Sequence, residues 1–197
     1  ELALLSDLPI NQKNITAEAC VHHLFYSEAD YKNLGHQIKC NPSIKLESDR
    51  QALLKALKDG VIDIIATDHA PHTWEEKQRT YFMAPSGLPL IQHTLNMLME
   101  LSHQGFFSIE EIVQKTSHNV AERFRVKDRG YIREGYFADL VEIHPDENIT
   151  VLKDDLYYMC KWSPLENTTL RGKVFRTFLN GKLVFQNGLI LDPTWSI

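Results

Sequence analysis

At 197 residues, with 43% hydrophobic and 10% aromatic residues, the chain has enough material for one sizeable core, or for one domain with a small second one. Its 21 basic against 26 acidic residues give a net charge of −5, which argues against a nucleic-acid footprint or a polybasic membrane patch. No apolar run approaches the roughly 20 residues that a bilayer-spanning helix requires, and three widely spaced cysteines without a Cys-x-x-Cys pair (Cys20, Cys40, Cys160) read as reduced thiols of a cytoplasmic protein.

In chain order, Glu1–Pro9 reads as the tail of an amphipathic helix already under way, from which a longer polypeptide is expected. Asn14–Val21 is rich in strand formers and predicts a strand ending at His22-His23. A polar stretch with Gly35 precedes a short extended segment, 37–41, stopped by Pro42. Residues 47–58 carry Leu53, Leu54, Ala56 and Leu57 at helical spacing, and Gly60 closes that helix. Val61-Ile62-Asp63-Ile64-Ile65 then predicts a buried strand over 61–67. Thr73–Thr80 reads as a loop, Gly87–Gly105 as one long helix, Ser108-Ile109-Glu110-Glu111 as a capping box, and Ser117–Phe124 as a further helix. Beyond Gly130 the pattern becomes strand-only: Gly135–Ile143, Gly172–Leu179 and Lys182–Gln186, with Asn180-Gly181 a strong hairpin signal between the last two. Alternating strands and helices followed by strands alone imply a parallel α/β part and a small antiparallel β part.

The densest chemistry follows the 61–67 strand, in Asp68-His69-Ala70-Pro71-His72. A carboxylate at the carboxyl end of a buried strand can ligate a metal and take a proton from water activated there. A loop-capping Asp before a turn at Ala70-Pro71 is the other reading. His72, stiffened by Pro71, is placed as a substrate contact, whereas His69 is placed to orient its neighbours. On a strand His22 and His23 would face opposite ways, so at most one reaches a site. Asn41 before Pro42 either presents its amide to a substrate or simply starts a turn. Ser86-Gly87 would open the long helix and offer backbone N–H groups to an oxyanion or carbonyl, or serve as a plain N-cap.

These residues together resemble the dihydroorotases, members of the cyclic amidohydrolases. The run from Ala66 through Asp68, His69, Ala70, Pro71 and His72 to Lys77 is similar to their second signature, and Thr16–Leu24 resembles their strand-seven motif. Lys39-Cys40-Asn41-Pro42 resembles their substrate-binding Asn-Pro segment, Ala84-Pro85-Ser86-Gly87 the loop against the dihydropyrimidine ring, and Gly130–Leu140 the linker to a small β domain. The resemblance implies an α/β fold: the C-terminal part of a metal-dependent (β/α)8 TIM-type barrel over residues 1–129, then a small β-rich composite subdomain over 130–197. It implies zinc-dependent, reversible cyclisation of N-carbamoyl-L-aspartate to dihydroorotate in pyrimidine biosynthesis. By that resemblance Asp68 is the last-strand zinc ligand and the general base and acid, Glu18 a weaker candidate ligand, and Asn41, His72, Ser86 and Gly87 bind substrate. A complete site of this kind holds two zinc ions.

The family's His-x-His motif, its bridging ligand, its histidines on the fifth and sixth strands and the Arg that holds the substrate carboxylate have no counterparts here. The missing N-terminal half of the barrel is therefore an expected partner, beside a homodimer or aspartate transcarbamoylase. Other readings are a hydantoinase- or allantoinase-like enzyme, or a non-catalytic dihydroorotase-like scaffold subunit.

Overall fold

The computed structural model describes residues 1–191. Two short parallel strands, β1 (Glu18–Cys20) and β2 (Ile64–Ala66), pair in the register Glu18 with Ile64 and Cys20 with Ala66. Between them run α1 (Val21–Phe25), α2 (Tyr31–Leu34) and the crossover helix α3 (Glu47–Lys58). α3 follows its sequence pattern: Leu54, Ala56 and Leu57 are buried, Glu47 and Asp49 lie in the first turn, and Lys55 and Lys58 in the last. Those charges complement the helix dipole at both ends.

The strand pair is pinned at its entry by groups that carry no obvious signal in the sequence. Lys13 Nζ lies 2.7 Å from Asp63 Oδ1, with both side chains almost fully buried. The ammonium also donates to Gly60 O at 2.6 Å, and Asp63 Oδ2 accepts the Ala17 N–H at 3.1 Å. The Asp63 carbonyl accepts from Asn119 Nδ2 at 2.6 Å. A buried pair of this kind persists only when its remaining hydrogen-bond capacity is met, as it is here.

After β2 come the single-turn helix α4 (Trp74–Lys77) and α5 (Thr94–His103). A nearly continuous helical stretch follows, formed by α6 (Ile109–Val113), a π-turn over Gln114–His118 and α7 (Asn119–Phe124). The Ser108–Glu111 capping box forms as read, with reciprocal side-chain to backbone bonds at 3.2 and 2.8 Å. Among the described residues the second sheet is antiparallel, in the order β3 (Leu140–Thr150), β4 (Thr169–Leu179), β5 (Lys182–Gln186) and β6 (Leu189–Ile190). Asn180-Gly181 makes the expected hairpin with both residues at positive φ, and Asn187-Gly188 repeats the device before β6.

The sheet is not detached from the helices. Asn96 on α5 donates to Gly172 O on β4 at 2.6 Å, and a Cβ at Gly172 would stand 2.4 Å from Met99 Cβ. Val151, Leu156, Leu165 and Leu170 join the same apolar cluster as Leu24, Leu57 and Leu98.

Several expectations are corrected. Glu1–Pro9 holds only a 3-10 turn at Leu2–Leu4, with no buried face to sustain a helix. The predicted 14–21 strand is confined to Glu18–Cys20, and His22-His23 lie in α1 rather than at a strand end. Residues 35–38 form a 3-10 turn where an extended segment was expected from 37. The polar run 73–80 contains α4, because Thr73 and Glu76 close a capping box. The helix expected over 87–105 begins only at Thr94. Leu88 and Leu90 are buried because their segment runs beside residue 69 instead, His69 bridging Leu88 in parallel. The strand expected from Gly135 starts at Leu140, and the one expected from Gly172 starts at Thr169.

Candidate functional site

β2 ends at Ala66, and two residues on Asp68 adopts φ +45. Asp is among the few residues that tolerate this left-handed conformation. The turn ends strand pairing and leaves the carboxylate exposed on the C-terminal rim of the parallel strands. Among the described residues no donor is bonded to it. Its charge is nonetheless felt by two thiols: burial foremost, and Asp68 with Glu18 and Cys40, push Cys20 up to about 12. Burial likewise pushes Cys40 up to about 11, with Asp68 adding to it. Asp68 therefore lies near enough to Cys20 and Cys40 for its charge to act on both thiols. Two clefts among the described residues, about 400 and 480 Å³ in volume, have walls that do not include Asp68.

Beyond Asp68 the chain is fixed by its imidazoles. His69 Nδ1 accepts the N–H groups of Leu90 and Ile91 at 3.1 and 3.4 Å, so its proton sits on Nε2. His69 thus holds the 88–91 segment in place. His72 Nε2 lies 3.0 Å from Ser86 O and donates to it, which leaves Nδ1 as an acceptor. Its own carbonyl accepts from Trp162 Nε1 at 2.7 Å.

Ser86 and Gly87 do not open a helix, and the Gly87 N–H is already committed to Lys39 O at 2.9 Å. It is not a free oxyanion donor, contrary to the expectation from sequence. What Gly87 provides is a close approach. At φ +134 a Cβ there would stand 2.6 Å from Ala70 Cβ and 2.8 Å from Ala70 O, so only glycine lets the 86–88 segment lie against 70–72.

Two lysines that sequence reasoning passed over set this loop. Lys77 is completely buried, and its Nζ donates to Gly87 O at 2.7 Å, Pro85 O at 2.9 Å and Lys39 O at 3.0 Å. Burial lowers it to about 8, against an opposing pull from the Cys40 thiol. Lys39 Nζ donates to Ala84 O at 2.6 Å and Tyr81 O at 2.7 Å. Through Lys39 O, which receives both Lys77 Nζ and the Gly87 N–H, the segment leading to Asn41 is tied to the 84–87 loop. Asn41 itself is exposed, and its peptide bond to Pro42 is cis. The Thr73–Glu76 spacing, a capping box readable in sequence, was the available signal for the helix that aims Lys77.

The structure thus brings His72, Ser86 and Gly87 together and ties the Asn41 segment to them. Glu18 is exposed and paired with Ile64, at the opposite end of the strand pair from the Asp68 rim. Among the described residues, one group of metal-competent side chains has its ligand atoms within 4.8 Å of one another: Cys20, His22 and His23. His22 is fully buried with neither ring nitrogen bonded, and burial, with His23 adding to it, lowers it to about 3.

Residues 8–184 match the profile of the amidohydrolase family. The chain belongs to that family. It is 41% identical over 175 residues to the dihydroorotase of Clostridium acetobutylicum, covering 88% of this chain and 41% of that protein. It is 41% identical over 151 residues to the dihydroorotase of Halobacterium salinarum, covering 77% and 36%. In structure it is similar to the L-hydantoinase (dihydropyrimidinase) of Arthrobacter aurescens, with a TM-score of 0.90 over 97% of this chain and 44% of that one, at 22% identity. That likeness shows the fold: an α/β chain following the C-terminal part of a TIM-type barrel, with a small antiparallel sheet after it. The chain spans about two fifths of the length of the curated relatives it matches. Among the described residues no helix is long and apolar enough to cross a membrane.

Proposed function

We propose that this amidohydrolase chain supplies the last-strand side of a dihydroorotase centre that interconverts dihydroorotate and N-carbamoyl-L-aspartate. The observation that carries the reading is the Asp68–His72 segment on the strand rim, with His72 fixed to the loop carbonyl of Ser86, in a chain 41% identical to curated dihydroorotases. We read residues 1–129 as the barrel part and 130–191 as the β subdomain; the expected extension of that subdomain over 192–197 lies outside the described residues.

Amidohydrolase chemistry calls for a metal, and we take zinc as the ion. The residues present fit it in part. Asp68 offers an exposed carboxylate with no competing donor among the described residues, the state a ligand requires. Zinc, when bound, supplies the Lewis acidity that makes an amide carbonyl electrophilic at neutral pH.

Asp68 serves as base and then acid. It takes a proton from the water that adds to the ring amide carbon. As the carbon–nitrogen bond breaks, it delivers that proton to the departing nitrogen. Ring closure runs the same transfers backwards. His72 accepts a substrate N–H at Nδ1, because Nε2 is spent on Ser86. Asn41 offers its amide to a substrate carboxylate or carbonyl. Gly87, its N–H spent on Lys39 O, acts as a fixed wall, and Ser86 beside it contacts substrate through its backbone.

The test is a comparison of ring opening by the intact polypeptide carrying this chain on dihydroorotate, hydantoin and allantoin. Turnover of dihydroorotate at least tenfold above the others is expected. Preference for hydantoin or allantoin would move the assignment to another cyclic amide, and no turnover of any of them would leave a scaffold role.

A further inference from the structure

Cys20, His22 and His23 sit at the junction of β1 and α1, where the strand reading had separated the two imidazoles. Because α1 begins at Val21, adjacent residues there are turned by about 100° rather than to opposite faces. Their ring centroids are 4.3 Å apart. The Cys20 thiol completes a group whose ligand atoms all lie within 4.8 Å of one another. Donor atoms around tetrahedral zinc, at about 2.0–2.3 Å from the ion, stand roughly 3.5 Å apart. Side-chain adjustments of about 1 Å therefore close the set.

Two further observations point to a ligand. His22 is fully buried, yet neither of its nitrogens has a hydrogen-bond partner. A buried imidazole left in that state costs free energy that a metal bond offsets. His23 has the complementary arrangement: its Nε2 lies 2.8 Å from Pro42 O and donates to it, which leaves Nδ1 unprotonated. A ring nitrogen bound to a backbone carbonyl is the usual way a ligating histidine is oriented.

We propose that Cys20, His22 and His23 form a thiolate–imidazole site for a divalent ion of the zinc class. One sulfur and two nitrogens suit a borderline-soft d10 ion better than magnesium or calcium, and three protein ligands leave a fourth position open. The donor set contains sulfur, which the carboxylate of Asp68 does not supply, so the site has a spectroscopic signature of its own.

Cobalt(II) titrated into the metal-stripped intact polypeptide carrying this chain reads that signature. A thiolate-to-cobalt charge-transfer band in the near ultraviolet should grow until one cobalt per chain is bound at the thiolate, beyond any taken up by the proposed dihydroorotase centre and whether or not the protein turns over dihydroorotate. Cys20→Ser should abolish the band, Cys160→Ser should leave it, and His22→Asn should weaken cobalt binding at this site at least tenfold. A second measurement guards against a misfolded variant: in the unaltered protein, bound zinc should protect Cys20 from alkylation while Cys160 still reacts. Absence of the band at every cobalt concentration overturns the proposal. So does a band that survives Cys20→Ser and vanishes in Cys40→Ser, or equal alkylation of Cys20 with and without zinc.

Discussion

Lys77 holds Gly87 through the carbonyl oxygen, with Nζ 2.7 Å away, and the same ammonium holds Pro85 and Lys39. Two segments, the 85–87 loop and the one at Lys39, thus meet on one buried cation. Lys77→Met keeps the aliphatic stem and removes all three bonds, leaving the Pro85 and Gly87 carbonyls without that donor while Lys39 O keeps the Gly87 N–H. An unfolding penalty of roughly 3 kcal/mol is expected, since each unsatisfied buried group costs about 1–3 kcal/mol and relaxation recovers part of it. Denaturant unfolding measures it, and a change within about 0.5 kcal/mol, the range of a neutral surface substitution, would refute the clamp. On the proposed function, the same variant of the intact polypeptide should raise KM for dihydroorotate, because the 85–87 loop loses its anchor.

That clamp marks where sequence reading stops. The elements with periodic apolar positions or explicit turn chemistry were legible: α3 from Leu54, Ala56 and Leu57, the cap at Ser108, the hairpin at Asn180-Gly181. The 87–93 segment was misread as helix because Leu88 and Leu90 are buried by pairing beside His69, and nothing local records a partner about twenty residues away. The rim carboxylate of Asp68 was visible as a polar residue after a buried strand. The roles of Lys77 and Lys39 were not, because their acceptors are backbone carbonyls, which every residue carries. The Cys20–His22–His23 group was hidden by a shift of boundary: a helix that starts at Val21, where the sequence predicts strand through His23, brings side chains together that a strand would part.

The buried pair Lys13–Asp63 gives a prediction about folding alone. Lys13→Met removes the ammonium at 2.7 Å and strands a buried carboxylate, which is expected to cost roughly 3–5 kcal/mol. Adding Asp63→Leu should recover most of that loss, because no charge then remains to be desolvated, although the Ala17 N–H loses its acceptor. Unfolding free energies of the two single variants and the double variant decide the matter. A double variant less stable than Lys13→Met would mean that the carboxylate matters for its backbone contact rather than for its charge.

His93 makes stability depend on pH in a stated direction. It is buried against Tyr158, and burial, opposed by Asp155, lowers it from 6.5 to about 4. The folded chain keeps it neutral down to about 4, whereas the unfolded chain protonates it below 6.5. The unfolded state therefore binds more protons across that window, and stability falls as pH falls from 6.5 to 4. The full loss from this residue is roughly 3 kcal/mol. His93→Phe, which keeps a ring but cannot titrate, should flatten that part of the curve of unfolding free energy against pH. An unchanged slope between pH 6.5 and 4 would show that His93 is protonated without penalty in the folded chain.

Asp68→Asn separates charge from backbone shape more cleanly than alanine would. Asn shares with Asp the tolerance for φ near +45, and the Asp68 side chain is exposed with no bonded donor among the described residues. Stability should therefore change by no more than about 0.5 kcal/mol. On the proposed function, turnover of dihydroorotate by the intact polypeptide should fall by about 10³-fold or more, since an amide accepts no proton from water and is a poor zinc ligand. Loss of activity with a matching loss of stability would point to a structural role at the turn. Near-normal turnover with the fold intact would remove Asp68 from the chemistry and return it to the rank of a loop residue.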